Sequence, residues 1–306
     1  MAIVKAIAQA ETVAIRDGRI SSDLPLTTAR WSNAAGALRV HWPEYLIEAG
    51  ALGTFMISAC VFTVLLQHPA SAARQAIGND FVRRALTGVA MGLTAIALVY
   101  SPWGKRSGAH LNPSITLTFL RLGKVARWDA LFYVFAQSVG GVAGVGIAAL
   151  LLGNSLSHSA TRYAVTVPGK GGAPVAFAAE LIISFLLMSM VLHATNTQRI
   201  ARYTGLFAGA LVASYIALEA PYSGMSMSPA RTLGSAVHAH IFTSLWVYFT
   251  APLIGMLLAA ELYIRTRGSH AVICAKLHHQ NNQRCIFNCG YREAAIKNQF
   301  TSGERQ

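Results

Sequence analysis

Long apolar runs broken by short polar stretches make up most of this chain. Six of them, at 45–66, 85–101, 130–152, 176–194, 203–218 and 241–264, carry few charges. Each is near the ~17–25 residues that a membrane-spanning helix needs. Helices buried in a soluble core seldom need so many uninterrupted apolar turns in succession, so the pattern predicts six transmembrane spans. One break between them is unusual. In SGAHLNPSITLTFL, 107–120, the turn signal Asn112-Pro113 is followed by Ile115, Leu117, Phe119 and Leu120, which are too apolar for a solvated loop. Asn is a good helix cap, and Pro fits the first helical position because its missing N–H would be unpaired there anyway. The stretch predicts a short buried helix of about two turns.

The second half of the chain repeats the first. Gly88 and Gly92 in span two match Gly205 and Gly209 in span five, both in the small-x-x-x-small pattern that lets helices approach closely. Twenty residues after Gly92 comes Asn112-Pro113-Ser114, and nineteen after Gly209 comes Ser228-Pro229-Ala230. Each tripeptide leads into a short apolar tail. Span four begins Glu180-Leu-Ile-Ile-Ser184-Phe185, and span one carries Gly50-Ala-Leu-Gly-Thr54-Phe55. With hydroxyl and Phe in register, Gly50 stands opposite Glu180 and Glu48 falls two residues out of phase. A channel-like domain at 44–266 then holds repeat one, about 44–153, and repeat two, about 175–266. Three spans per repeat is an odd number, so the second copy must be inverted in the membrane.

Composition and charge refine this picture. Of the 306 residues 54% are hydrophobic and 12% charged, against about 25% charged in a soluble domain. The net charge of +13 raises the question of nucleic acid, but its placement argues otherwise. With the N-terminus in the cytoplasm, one side collects Lys5, Arg16, Arg19, Arg30, Arg39, Lys105, Arg106, Arg121, Lys124, Arg127, Arg199, Arg202 and the seven basic residues from Arg265 onward. The other side holds Arg74, Arg83, Arg84, Arg162, Lys170 and Arg231. The excess is a topology signal that sets both termini inside a cell membrane, and no nucleic-acid partner is expected.

The tails complete the domain organisation. Residues 1–43 hold no continuous signal-peptide core and are read as a cytoplasmic extension. Residues 267–306 form a basic cytoplasmic tail with Cys274, Cys285 and Cys289, where a reducing compartment disfavours a disulfide. Reduced thiols account for them. The alternative is a Cys/His metal set in which His278 and His279 stand beside the thiols, with Cys274, His278, Cys285 and Cys289 as the candidate four, the right ligand types for zinc at an irregular spacing. No cofactor and no metal are otherwise expected.

Two inverted half-helices should meet near the midplane, where irregular backbone is tolerated only if buried in protein or lining a water-filled cavity. Each N-terminus presents unpaired N–H groups and a partial positive charge. A pore with two positive helix ends at its middle repels cations and interrupts a proton-conducting chain of waters, yet passes small neutral molecules. The stretches SGAHLNPS and SGMSMSPARTLGSA resemble the paired Asn-Pro-Ala boxes of the aquaporin, or major intrinsic protein, family. The resemblance spans about 44–266 and includes Gln137 in span three and Pro252 in span six. It implies an all-α fold of six transmembrane helices plus two re-entrant half-helices, one pore per subunit, and a homotetramer in the lipid bilayer. The Pro102-Trp103 insertion and the long tails fit a bacterial branch, and hence an inner membrane.

Departures from the family pattern carry the specificity. Ser228 stands where the second box normally has Asn, and Ser114 replaces Ala in the first. Ser still caps a helix, but its hydroxyl is shorter and can accept as well as donate. The family's span-one glutamate falls on Gly50, so Glu180 alone carries over, with the role of holding loop backbone. Arg231 follows the second box and resembles the family's constriction arginine. The rival reading, an arginine snorkelling to the surface, fits its motif context less well. Counting back from the boxes gives Met91, Ile216 and Met225 as the other constriction positions. Such an apolar wall with one Arg lowers the desolvation cost for a solute bearing CH groups, and the solute stays open between water, a glycerol-like polyol and a small uncharged hydride or acid. His110 is either a pH-sensitive group at the cytoplasmic mouth or a ring bonded to loop backbone. Glu219 either pairs with a loop donor or lines the outer mouth.

Two other classes weigh less. An inverted-repeat secondary transporter would also have broken helices, but the spans offer almost no coupling acids or bases. An enzyme would need an acid–base pair or metal ligands, and neither box has them.

Overall fold

The computed structural model describes residues 33–291. Eight principal helices order them: α1 (Ala34–Gln67), α2 (Asp80–Tyr100), α3 (Pro113–Arg121), α4 (Arg127–Leu152), α5 (Gly172–Thr195), α6 (Thr204–Leu218), α7 (Pro229–Ala239) and α8 (Leu245–Arg267). Short helical turns fill several connections, and no strand occurs among the described residues. Helices α1, α2, α4, α5, α6 (with the turn Ala201–Tyr203 that leads into it) and α8 supply six stretches long and apolar enough to cross a membrane. The 9 residues of α3 and the 11 of α7 do not. At 1.5 Å per residue they reach roughly half-way through a hydrocarbon core of about 30 Å.

Local chemistry explains the boundaries. Asn79 caps α2 by accepting from Phe81 N at 2.9 Å and Val82 N at 3.2 Å. Asn33 caps α1 by accepting from Gly36 N at 2.8 Å, so this helix begins well before the apolar run at 45–66 that marked it in the sequence. Its first turns carry polar residues that are nevertheless buried. His41 Nδ1 lies 2.8 Å from Asp129 Oδ1, and Tyr45 donates to the same oxygen at 2.6 Å.

The bundle is apolar outside, and its polar side chains are drawn into an otherwise apolar interior. Phe135, Leu150 and Leu151 of α4 are largely exposed, whereas Glu48, Thr116, Gln137 and Glu180 are fully buried. Exposed aromatics form a band at each end: Trp42 and Trp103 on the side of the described termini, Tyr222, Phe242 and Trp246 on the other. Such belts mark the two membrane–water interfaces.

The first and third spans of each repeat pair with one another, and the second spans pair across the repeats. Helix α1 packs on α4, α2 on α6 and α5 on α8, while α3 lies against α8 and α7 against α4. Each half-helix thus leans on the last span of the other repeat. The α2–α6 crossing depends on glycine: a Cβ on Gly92 would come within 2.5 Å of Gly209 O, and one on Gly88 within 2.4 Å of Ala213 O. Gly205 is closed in the same way by Tyr100 and Val99.

Beyond α8, residues 268–291 fold back onto the bundle. Leu277 N donates to Gly108 O at 3.1 Å and Asn288 N to Lys124 O at 2.9 Å. Ile273 N donates to Asn196 Oδ1 at 2.7 Å and Tyr291 Oη to Thr195 O at 3.0 Å. Six crossings return the chain to the side it started from, so this segment covers the termini face.

Candidate functional site: the junction of the two half-helices

The loops that lead into α3 and α7 share one backbone trace. In the first, Gly108 has φ 97°, Ala109 56° and Leu111 51°; in the second, Gly224 has 81°, Met225 53° and Met227 56°. Four non-glycine residues in the left-handed region persist only where their surroundings hold them. Buried carboxylates do so. Glu180 accepts from Ser223 Oγ at 2.8 Å, Ser226 N at 2.6 Å and Met227 N at 2.7 Å. Glu48 accepts from Ser107 Oγ at 2.7 Å, His110 N at 3.1 Å and Leu111 N at 2.7 Å, and also from Gln137 Nε2 at 2.9 Å. A tyrosine backs each loop, Tyr133 Oη donating to Ser107 O at 2.7 Å and Tyr248 Oη to Ser223 O at 2.6 Å.

Glu48 is therefore the counterpart of Glu180, which corrects the register that set Gly50 in that place. A Cβ on Gly50 would meet nothing within 4 Å; that position faces away from the loop. The Thr-Phe match misled because the stretch from span to box differs in length between the repeats. The signal that was there is the acid itself, since a carboxylate is too costly in an apolar span unless something binds it.

The caps sit where the two halves touch. Asn112 Oδ1 accepts from Ser114 N at 2.9 Å, and Asn112 Nδ2 donates to Met227 O at 2.6 Å, tying the first box to the second loop. Ser228 Oγ accepts from Arg231 N at 3.3 Å. It is too short to return a bond to the first loop. Ser226 braces the second box from within, its hydroxyl donating to Ser228 O at 2.9 Å and lying 2.5 Å from Thr232 Oγ1.

Two cavities adjoin at this junction. One, of ≈ 280 Å³, opens away from the termini face and is lined by Met91, Ile216, Met225 and Arg231, the four positions counted from the boxes. The other, of ≈ 100 Å³, lies on the termini side and is lined by His110, Asn112, Ser228 and Leu277. Both share Phe55, Val212, Ser226, Met227 and Arg231. Phe55 marks only the register in the sequence, and nothing there points to Leu277 as a lining residue. Arg231 Nη1 is buried without a hydrogen-bond partner, so it is a donor open to a guest. Glu219 is buried and lines neither cavity. His110 is buried too, its Nε2 2.9 Å from Ala275 O and its Nδ1 3.0 Å from Thr116 Oγ1. A carbonyl only accepts, so Nε2 carries the proton.

The tail residues converge as well. Cys274, His279, Cys285 and Cys289 bring their ligand atoms within 4.8 Å of one another. The histidine is His279 and not His278, whose ring instead meets Tyr100 edge-on at 5.0 Å. Adjacent histidines in an irregular segment point different ways, so spacing could not choose between them. Hydrogen bonds from Cys274 and Cys285 draw the Cys289 thiol below its usual range. Burial lowers His279, but bonds to Cys285 and Cys289 outweigh it, and the ring is pushed up to about 9.

Comparison with known proteins bears on this arrangement. A family model described as Major intrinsic protein matches residues 41–263. Aquaporin NIP2-3 of Zea mays is 33% identical, over 80% of this chain and 81% of its own. Probable aquaporin NIP7-1 of Arabidopsis thaliana is 32% identical over 72% and 76%. A probable aquaporin NIP-type of Nicotiana alata is 37% identical, though this chain spans only 63% of it. These relatives are plant proteins, so they lend no support to a bacterial branch. Among solved structures, the aquaglyceroporin from Plasmodium falciparum superposes with a TM-score of 0.62 at 20% identity, over 76% of this chain and 98% of that one. The chain belongs to the major intrinsic protein family.

Proposed function

We propose that the protein is a passive membrane channel for water and small uncharged solutes of glycerol size, with its path running through the two adjoining cavities. The observation that carries this is the meeting of two capped half-helices, Asn112 to Met227 O, at the point where both cavities share Ser226, Met227 and Arg231. Relatives named aquaporins and a neighbour named an aquaglyceroporin support it.

In this reading Asn112-Pro113-Ser114 and Ser228-Pro229-Ala230 form the midplane, where the two positive helix ends exclude cations and protons. Met91, Ile216, Met225 and Arg231 form the constriction. Three apolar walls and one guanidinium suit a solute with both CH groups and hydroxyls, because Arg231 donates to oxygen while methionine yields to carbon. The channel domain occupies 44–266, in a homotetramer with both termini cytoplasmic, as the basic termini face favours.

The decisive experiment is stopped-flow light scattering on proteoliposomes. An impermeant osmolyte reads water flux, and glycerol and urea read solute flux. Faster shrinkage in the impermeant osmolyte, followed by re-swelling in glycerol, is the expected result. Rates equal to protein-free vesicles for water and both solutes would overturn the reading.

A further inference from the structure

Residues 268–291 have one short 3-10 turn, Ser269–Ala271, and a small set of buried side chains. A segment of this size has too little core to hold a defined shape without a staple. Its four soft ligands supply one. The sulfurs of Cys274 and Cys285 lie 3.6 Å apart, and Cys289 Sγ lies 3.0 Å from His279 Nε2. A tetrahedral ion with bonds of about 2.3 Å to sulfur and about 2.0 Å to nitrogen sets its ligands roughly 3.5–3.8 Å apart, so the cluster needs only small side-chain shifts to close on one. All three thiols are free. The supporting contacts expected around a metal are present as well. The His279 ring is stacked on Tyr291 at 4.1 Å and 10°, and Tyr291 is itself anchored to Thr195 O. Three thiolates around a divalent ion leave one negative charge. Lys276, buried beside the cluster, donates to Gln283 O at 3.1 Å and Arg284 O at 2.6 Å, just before Cys285.

We propose that Cys274, His279, Cys285 and Cys289 bind a tetrahedral zinc ion, and that this ion staples the C-terminal segment over the termini-face mouth of the path as a plug. The loops between the ligands make the contacts that close it. Between Cys274 and His279, Ala275 O bonds His110, Leu277 N bonds Gly108 O, and the Leu277 side chain lines the inner cavity with Asn112. Between Cys285 and Cys289, Phe287 stacks on His110 at 5.2 Å and 10°. Fixing four ligands on one ion fixes both loops against the first half-loop. Losing the ion frees them, and Leu277 leaves the mouth.

The plug rests on the channel reading; the metal site does not, and the test separates them. Full-length protein purified without chelator is expected to hold about one zinc per chain by elemental analysis. Cobalt substitution should give the absorption of a tetrahedral thiolate site. Cys285→Ser and His279→Ala should lose the metal, and His278→Ala should keep it. In proteoliposomes, stripping zinc should raise water and glycerol flux several-fold, and Leu277→Ala should raise them with zinc still bound. Metal-free protein with all three thiols readily alkylated, and no uptake of added zinc, would overturn the site. Stoichiometric zinc with flux unchanged by stripping and by Leu277→Ala would overturn the plug while leaving the channel intact. No flux in any of these forms would overturn the plug together with the channel reading on which it rests.

Discussion

Glu48 and Glu180 do the same work in two loops: each turns main-chain N–H groups inward and holds residues with positive φ in place. Removing such an acceptor leaves buried donors unpaired at about 1–3 kcal/mol each. Glu48→Ala should therefore lower the thermal midpoint in detergent by many degrees or prevent folding, while Gly50→Ala leaves it unchanged. Equal midpoints for the two variants would remove Glu48 from this role. Ser228 sets the other side of the junction. Ser228→Asn restores an amide that reaches the Leu111 carbonyl, the counterpart of the Met227 carbonyl to which Asn112 donates. A bond of this kind is worth about 1 kcal/mol net. Water flux should hold or rise, and glycerol flux should fall several-fold as the path narrows. No change in either flux would place Ser228 outside the path. At the proposed constriction, Arg231 carries an unpaired buried donor. Arg231→Val should raise cation leak and the flux of bulkier neutral solutes without preventing assembly. Conductance and solute flux equal to the parent protein would take Arg231 out of the constriction.

At the scale of elements, the crossing of α2 and α6 allows no side chain at Gly92 or Gly209. Gly92→Leu should push the helices apart and cost about 1–3 kcal/mol or more, read as a lower thermal midpoint and a broadened elution profile; an unchanged profile would show that the contact tolerates bulk. These elements were legible because length and hydropathy mark a span, and Asn or Ser before Pro marks a helix start. The beginning of α1 was not. His41, Glu44 and Tyr45 look like the polar end of a run, yet Asp129 and Arg106 bind them inside the bundle, Arg106 Nε at 3.0 Å from Glu44. Partners so distant in sequence leave no local trace. The cover formed by residues 268–291 was hidden for the same reason. Its contacts to Gly108, Lys124 and Asn196 are single hydrogen bonds between remote segments, and an irregular chain has no period to announce which way its histidines point.

The whole molecule keeps its acids away from the path. Among the described residues Asp and Glu number seven, and six are bound: Glu48 and Glu180 to the loops, Asp129 to His41 and Tyr45, Glu44 to Arg106, Asp80 to Arg83, and Glu261 to Arg121. The seventh, Glu219, is buried, and neither cavity is lined by a carboxylate. Coupled transport needs a group that gains or loses an ion as the protein alternates between states. The two cavities of the proposed path offer two positive helix ends and Arg84, Arg162 and Arg231, all of one sign, and no carboxylate to bind a driving cation. Glycerol uptake into proteoliposomes should therefore depend on the glycerol gradient alone. Imposing an inward proton or sodium gradient should leave both its rate and its end point unchanged, and vesicle pH should stay constant during uptake. Accumulation of glycerol above the outside concentration under either gradient would mean a coupled transporter, and the channel reading would fall with it.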